Sequence, residues 1–266
     1  MHFDNVYWDK ASLDDASKTP SILAIGDSWF WYPFPGGSLL NALGPLVKNM
    51  QHTILAFGNN GAEAFDYVNG VYKDNIELGL SFYGSGLSAI FISGGGNDFA
   101  GFNDLRPLLK LNCSSMSTAR GCFRTGSDLG TIQWLMDRTQ ASLDSLIVKA
   151  FSAMPANSKV FLHNYDYPFP SGKGVFGGKS DWLRPGLVDA QVPSILQRPC
   201  VKYIIDQYTT RIKALESKFP ERVVVVDSRN TLAASEWANE IHPTQAGFKK
   251  IAAECWLPVL SAEGLA

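Results

Sequence analysis

Ile22-Leu23-Ala24-Ile25-Gly26-Asp27-Ser28-Trp29 is a short apolar, β-branched run that breaks at a glycine and delivers a serine. A run of this kind reads as a strand buried on both faces. A hydroxyl set just beyond a strand end stands where open α/β sheets place their ligands. Four more runs have the same character: Thr53 to Phe57, Ala89 to Ser93, Val160 to Asn164 and Val223 to Asp227. Helical stretches alternate with them. Leu143, Leu146, Ile147 and Ala150 fall at i, i+3, i+4 and i+7, and Tyr208, Ile212, Leu215 and Phe219 make a similar stripe that ends before Pro220. Strand and helix in alternation predict a five-stranded parallel sheet covered on both sides, because parallel strands need crossovers that bury both faces.

The chemistry-bearing residues share one topological address. Ser28 follows the first strand, Gly61 of Asn60-Gly61-Ala62 follows the second, and Asn97 of Gly94-Gly95-Gly96-Asn97-Asp98 follows the third. Near the C-terminus stands Glu240-Ile241-His242-Pro243-Thr244. A serine answered by a late histidine is the pairing of a nucleophile with its base. Glycine-rich turns can bring backbone N–H groups and a side-chain amide to a developing oxyanion.

The bulk of the chain bounds the alternatives. It has 266 residues, 45% hydrophobic and 18% charged, which suits one large core, so a single domain over 1–266 is expected. A net charge of −2, with Lys and Arg scattered, offers no basic stripe for nucleic acid. There is no run of 18 apolar residues to suggest a transmembrane segment. Met1 to Thr19 is polar and lacks a secretory core; an exported form after processing would read the same, so cytoplasmic and exported locations both stay open. The four cysteines, Cys113, Cys122, Cys200 and Cys255, contain no C-x-x-C pair, and no metal or other cofactor is expected. Cys113 and Cys122 bracket a polar stretch that fits either a disulfide loop or two free thiols. Two long stretches, 99–130 and the Gly- and Pro-rich 166–193, break the alternation and read as lids or substrate walls.

At four points the chain resembles the SGNH, or GDSL, hydrolases. Gly26-Asp27-Ser28 resembles their first block, Gly61 their second, Gly95-Gly96-Asn97-Asp98 their third and His242-Pro243-Thr244 their last. The resemblance implies a flavodoxin-like three-layer α/β/α sandwich and metal-independent ester or thioester hydrolysis through an acyl-enzyme. Carried over, it makes Ser28 the nucleophile and His242 the base. The oxyanion hole falls to Asn97 with the N–H groups of Ser28 and Gly61, and Asp27 and Asp98 stand behind the site as supports.

The departure lies at residue 239, where D-x-x-H of the family becomes Asn239-Glu240-Ile241-His242. Three readings follow: a Ser-His dyad with Asn239 as a neutral orienter, which is preferred; another acid, with Glu240 and Asp227 as the nearby carboxylates; or an impaired site. Asp227, at the end of the fifth strand, reads first as a structural cap. An amide in place of the carboxylate can also select the wrong imidazole tautomer.

Of the aromatic run Trp29-Phe30-Trp31-Tyr32-Pro33-Phe34, Trp29 and Trp31 are candidate substrate contacts, as is Tyr165 in Tyr165-Asp166-Tyr167-Pro168. His2, His52 and His163 lack ligand spacing and read as structural. The expected partner is a small-molecule, lipid or glycan ester. The alternatives are a carbohydrate O-acetyl esterase, a noncatalytic lipid- or glycan-binding protein on the same fold, and, more remotely, a nucleotide-binding flavodoxin-like domain.

Overall fold

The computed structural model describes residues 5–31, 37–175, 178–179 and 182–266. Six parallel strands form one sheet in the order β1-β3-β2-β4-β5-β6. They are β1 (Val6–Tyr7), β2 (Ile22–Gly26), β3 (Ile54–Gly58), β4 (Ala89–Ser93), β5 (Lys159–His163) and β6 (Val223–Val226). Every residue of β2 and β4 is buried, as expected of strands with helices on both faces.

Five strands were expected and the described residues form six. The additional one, β1, is a two-residue edge strand paired with Ile54 and Leu55. Two residues are too few to show a period, and tertiary bonds hold the segment in place. The Ile54 N–H donates to the Asn5 carbonyl at 2.8 Å, and the Asn5 side chain donates to the carbonyls of Gly44 (2.9 Å) and His52 (3.1 Å).

Both helical stripes lie where the spacing puts them. Helix Ile132–Ala153 starts at Thr131, whose hydroxyl accepts from the Trp134 N–H, and it buries Leu143, Leu146, Ile147 and Ala150. Helix Ser194–Lys218 buries Tyr208, Ile212 and Leu215 and stops at Phe219. The two long intervening stretches carry short helices of their own, Phe102–Leu105, Ala119–Cys122 and Arg184–Asp189. Cys113 and Cys122 are both buried free thiols, so of the two readings of that loop the structure has the unpaired one. Burial pushes the Cys113 thiol up to about 11, away from the reactive thiolate.

The strand order places the site. From β2 the chain crosses to β3 on one side, and from β4 it crosses to β5 on the other. Loops leaving β2 and β4 therefore part in opposite directions and open a crevice at the carboxyl ends of the central pair. Ser28 leaves one of these strands and Asn97 the other.

Candidate active site

Ser28 opens a single helical turn, Ser28–Trp31, and the residue before it fixes that turn. The Asp27 N–H donates to the Ser93 carbonyl (3.0 Å), one Asp27 carboxylate oxygen accepts from the Trp29 N–H (2.9 Å), and its carbonyl accepts from Phe30 and Trp31. Its second carboxylate oxygen accepts from the Tyr165 hydroxyl at 2.6 Å, and that hydroxyl accepts in turn from the Gly96 N–H at 3.1 Å. Asp27 thus joins the serine turn to the third block through Tyr165. Burial raises its carboxyl to about 7, against the opposing hydrogen bonds from Tyr165 and Trp29. The close approach of β2 and β3 requires a glycine at 58. Its φ is +99°, and a Cβ there would stand 2.1 Å from the Gly26 carbonyl oxygen.

His242 is 5% exposed and faces the serine. Its Nε2 lies 2.8 Å from Ser28 Oγ, across 214 residues of sequence. Its Nδ1 lies 3.1 Å from Asn239 Oδ1, and that same oxygen accepts the backbone N–H groups of Ile241 (3.1 Å) and His242 (2.9 Å). Two backbone donors aim at it, so the atom must be the amide oxygen; an NH₂ group there would face two N–H groups. An acceptor-only atom facing Nδ1 requires the proton on Nδ1, which leaves Nε2 bare toward the serine hydroxyl. Burial drives the imidazole down to about 3, holding it neutral.

Trp29 and His242 belong to one constellation, although the indole is part of the core. Trp29 is 3% exposed, its Nε1–H donates to the Ile241 carbonyl at 3.0 Å, and its ring packs edge-on against Tyr165, Trp237 and Phe248. It ties the serine block to the histidine block and is one of the residues that line the cleft. Tyr165 likewise lines the cleft while its hydroxyl is engaged with Asp27. Trp31 lines a different groove, beside β3: its Nε1–H donates to the Phe57 carbonyl (3.2 Å) and its ring stands against Trp8. Tyr32, Pro33 and Phe34 of the aromatic run lie outside the described residues, as does His2.

Asn97 lines the same cleft as Ser28 and donates through Nδ2 to the Ala62 carbonyl at 3.1 Å. Gly61, one residue away, is exposed in a turn at φ +81°. Asp98 is buried behind them, accepting from the Ala64 N–H (2.9 Å) and the Thr139 hydroxyl (3.0 Å), and burial raises its carboxyl. It fixes the loop after β4 to the long helix.

Neither alternative acid faces the imidazole in these contacts. Burial would raise the Asp227 carboxyl, but hydrogen bonds from Arg229 and Asn164 outweigh it and hold the group well below the usual carboxylate range. The Glu240 carboxylate is fully buried and accepts from the N–H groups of Gly172 (2.8 Å), Leu183 (2.9 Å) and Arg184 (3.2 Å). Gly172, Leu183 and Arg184 are thereby fastened to the turn that carries His242, and Trp182 meets the His242 ring edge-on with centroids 5.5 Å apart. Sequence reasoning missed this contact, since Trp182 lies in a Gly- and Pro-rich stretch with no periodicity to place it. His52 and His163 bond serine hydroxyls away from the cleft. Among the described residues no cluster of His, Cys, Asp or Glu is grouped to hold a metal ion, and no helix is long and apolar enough to cross a membrane.

No protein-family model matches the chain, and no curated protein matches it by sequence. Solved structures do. The extracellular lipase of Streptomyces rimosus superposes with a TM-score of 0.55 at 18% identity, covering 92% of this chain and 100% of the lipase. A structure assigned as a GDSL-like lipase of Parabacteroides merdae ATCC 43184 gives 0.53 at 14% identity, covering 93% and 98%. An active-site mutant of a family two carbohydrate esterase from Clostridium thermocellum gives 0.53 at 13%, covering 91% of this chain and 63% of the esterase. At such identities the likeness is one of fold.

Proposed function

From a chain that has the fold of the SGNH, or GDSL, hydrolases, we propose a serine ester hydrolase in which Ser28 attacks, His242 is the base and Asn239 orients that base. One observation carries the reading: the unbroken line from Ser28 Oγ to His242 Nε2 (2.8 Å) and from His242 Nδ1 to Asn239 Oδ1 (3.1 Å). His242 takes the serine proton as Oγ bonds to the ester carbonyl carbon. The tetrahedral oxyanion is received by the Asn97 amide and the N–H groups of Ser28 and Gly61. The protonated ring then gives its proton to the departing alcohol, and water enters by the same route to release the acid.

An asparagine costs less here than the general rule for triads suggests. Losing the carboxylate is damaging chiefly when the amide turns its NH₂ toward the ring and reverses the tautomer. The backbone N–H groups of Ile241 and His242 hold the oxygen inward, which supports the productive tautomer. What remains absent is the negative charge that would favour the imidazolium; the oxyanion forming nearby supplies part of that attraction. The cleft beside Ser28 is walled by Phe99, Ala100, Pro168, Ile205 and Ile241, which favours a short apolar acyl group.

Ser28→Ala is expected to abolish hydrolysis of short-chain p-nitrophenyl esters and labelling by a fluorophosphonate while the circular dichroism spectrum is kept. Unchanged turnover in that variant refutes the assignment. No label on the folded wild-type protein favours a noncatalytic lipid- or glycan-binding role. Profiling acyl chain length beside acetylated glycans separates a lipid acylhydrolase from a carbohydrate O-acetyl esterase.

A further inference from the structure

Glu240 has no part in the chemistry just described, yet it is a fully buried carboxylate two residues from the base. Burying such a charge is unfavourable unless donors surround it. Here the donors come from a distant piece of chain: Gly172 N–H, Leu183 N–H and Arg184 N–H reach the carboxylate, and the Glu240 N–H donates back to the Lys173 carbonyl at 3.0 Å. Gly172 and Lys173 on one hand, and Leu183 and Arg184 on the other, are thus bonded to one residue of the histidine turn. Trp182 is adjacent to one of those donors, and its ring is the one set edge-on at 5.5 Å from the His242 ring, nearly perpendicular at 82°. The same turn is also held by the Trp29 bond to the Ile241 carbonyl.

We propose that Glu240 is a positioning residue for this reaction: it fastens Gly172, Leu183 and Arg184 beside the histidine turn, so that the neighbouring Trp182 holds the His242 imidazole in line with Ser28. The inference rests on the hydrolase reading for its effect on rate, while the fastening itself is readable without turnover. Glu240 touches no reacting atom and acts through Trp182.

Three variants test it: Glu240→Gln, Trp182→Ala and the double variant. Glu240→Gln preserves shape and volume but sets an NH₂ group where a carboxylate oxygen accepts two backbone N–H groups, Gly172 and Arg184 at one position or Leu183 and Arg184 at the other. Trp182→Ala removes the half-buried indole and leaves the Glu240 bonds intact. Amide hydrogen exchange is expected to lose protection at Arg184 and at one of Gly172 and Leu183 in Glu240→Gln and to keep it at all three in Trp182→Ala. Both variants are expected to lower kcat by about 10- to 100-fold with KM within about twofold, the pattern of a displaced reacting group. The double variant is expected to be no worse than the poorer single one within about twofold, because both changes break one chain of contacts. The ¹⁵N resonances of the His242 ring are expected to move in both single variants.

Glu240→Gln with lost protection but unchanged kcat would make the carboxylate merely structural and overturn the proposal. So would multiplicative losses in the double variant, or protected amides in Glu240→Gln. If the wild-type protein neither turns over an ester nor takes a fluorophosphonate, the hydrolase reading has failed separately. The exchange pattern and the ring resonances then decide the fastening alone, and unmoved His242 resonances overturn it.

Discussion

Two buried histidines in this protein both touch serine hydroxyls, and only one of them has the setting of a base. His163 sits between Ser93 Oγ, 3.3 Å from Nδ1, and Ser228 Oγ, 3.1 Å from Nε2, with the rings of Trp29, Tyr165 and Trp256 packed around it. His242 sits between Ser28 Oγ and Asn239 Oδ1. Burial lowers both imidazoles to about 3, so neither the low basicity nor the serine contact distinguishes them. The difference is in the partners. A hydroxyl donates or accepts as needed, so two hydroxyls leave either tautomer of His163 satisfied. The amide oxygen at 239, held by two backbone donors, admits only one tautomer of His242. His242 is also bonded to Ser28, which lines the cleft, whereas His163 is wholly enclosed at the end of β5.

The sharpest way to break this comparison is His242→Ala beside His163→Gln. Removing the base is expected to cost about 10³- to 10⁴-fold in kcat, while His163→Gln is expected to leave kcat within a few-fold and to lower Tm, as steady-state kinetics and calorimetry on both variants will show. If His163→Gln cost as much turnover as His242→Ala, the distinction would fail.

A finer cut falls on the orienter. Asn239→Leu, which takes away the acceptor and leaves Nδ1–H and two backbone donors unpaired, is expected to lower kcat by about 10- to 100-fold. Asn239→Asp is expected to retain or raise activity. It is also expected to move the acid limb of the kcat/KM profile to higher pH, because an adjacent carboxylate favours the imidazolium. A large loss in Asn239→Asp would give the neutral amide a specific role.

The smallest effects are on stability against pH, and the two kinds of buried group have opposite signs. An unfolded imidazole binds a proton below about 6.5, whereas folded His163 stays neutral down to about 3. The unfolded state therefore binds more protons across that window, and stability falls as pH drops from 6.5 toward 3. Asp27, raised from 3.8 to about 7, reverses this: the folded state keeps the proton longer, so stability falls as pH rises from about 4 to 7. In chemical denaturation at several pH values, His163→Gln is expected to flatten the acid side of the stability curve and Asp27→Asn the side between pH 4 and 7.

Much of the scaffold was legible because its signals are local. Buried parallel strands read as apolar runs, and the stripe Leu143, Leu146, Ile147, Ala150 marks a core face whatever it packs against. The two-residue β1 has no such signal, being defined by its neighbour β3. Ser28 and Asn97 were named from residue type and position after strands, and His242 from its residue type near the C-terminus and the resemblance of His242-Pro243-Thr244 to the last block. The identity of residue 239 raised the right question, but the answer lay in which of its amide atoms faces the ring, and backbone N–H groups of the folded turn decide that. The aromatic residues were the least legible. Trp29 and Trp31 are two residues apart in one run, yet one ties the serine block to the histidine block and the other bonds the Phe57 carbonyl at a separate groove.

The amino-acid order alone thus determined the alternation of strands and helices and the chemical groups waiting at the strand ends, because hydrophobic period and residue type are properties of short segments. Only the tertiary structure decided that 214 residues of separation close to 2.8 Å between Ser28 and His242, which atoms face the two ring nitrogens, and that the Glu240 carboxylate is taken up by the N–H groups of Gly172 and Leu183. Those depend on donors and acceptors from distant segments meeting in a space without water, where each unpaired group is costly and the pairing becomes specific.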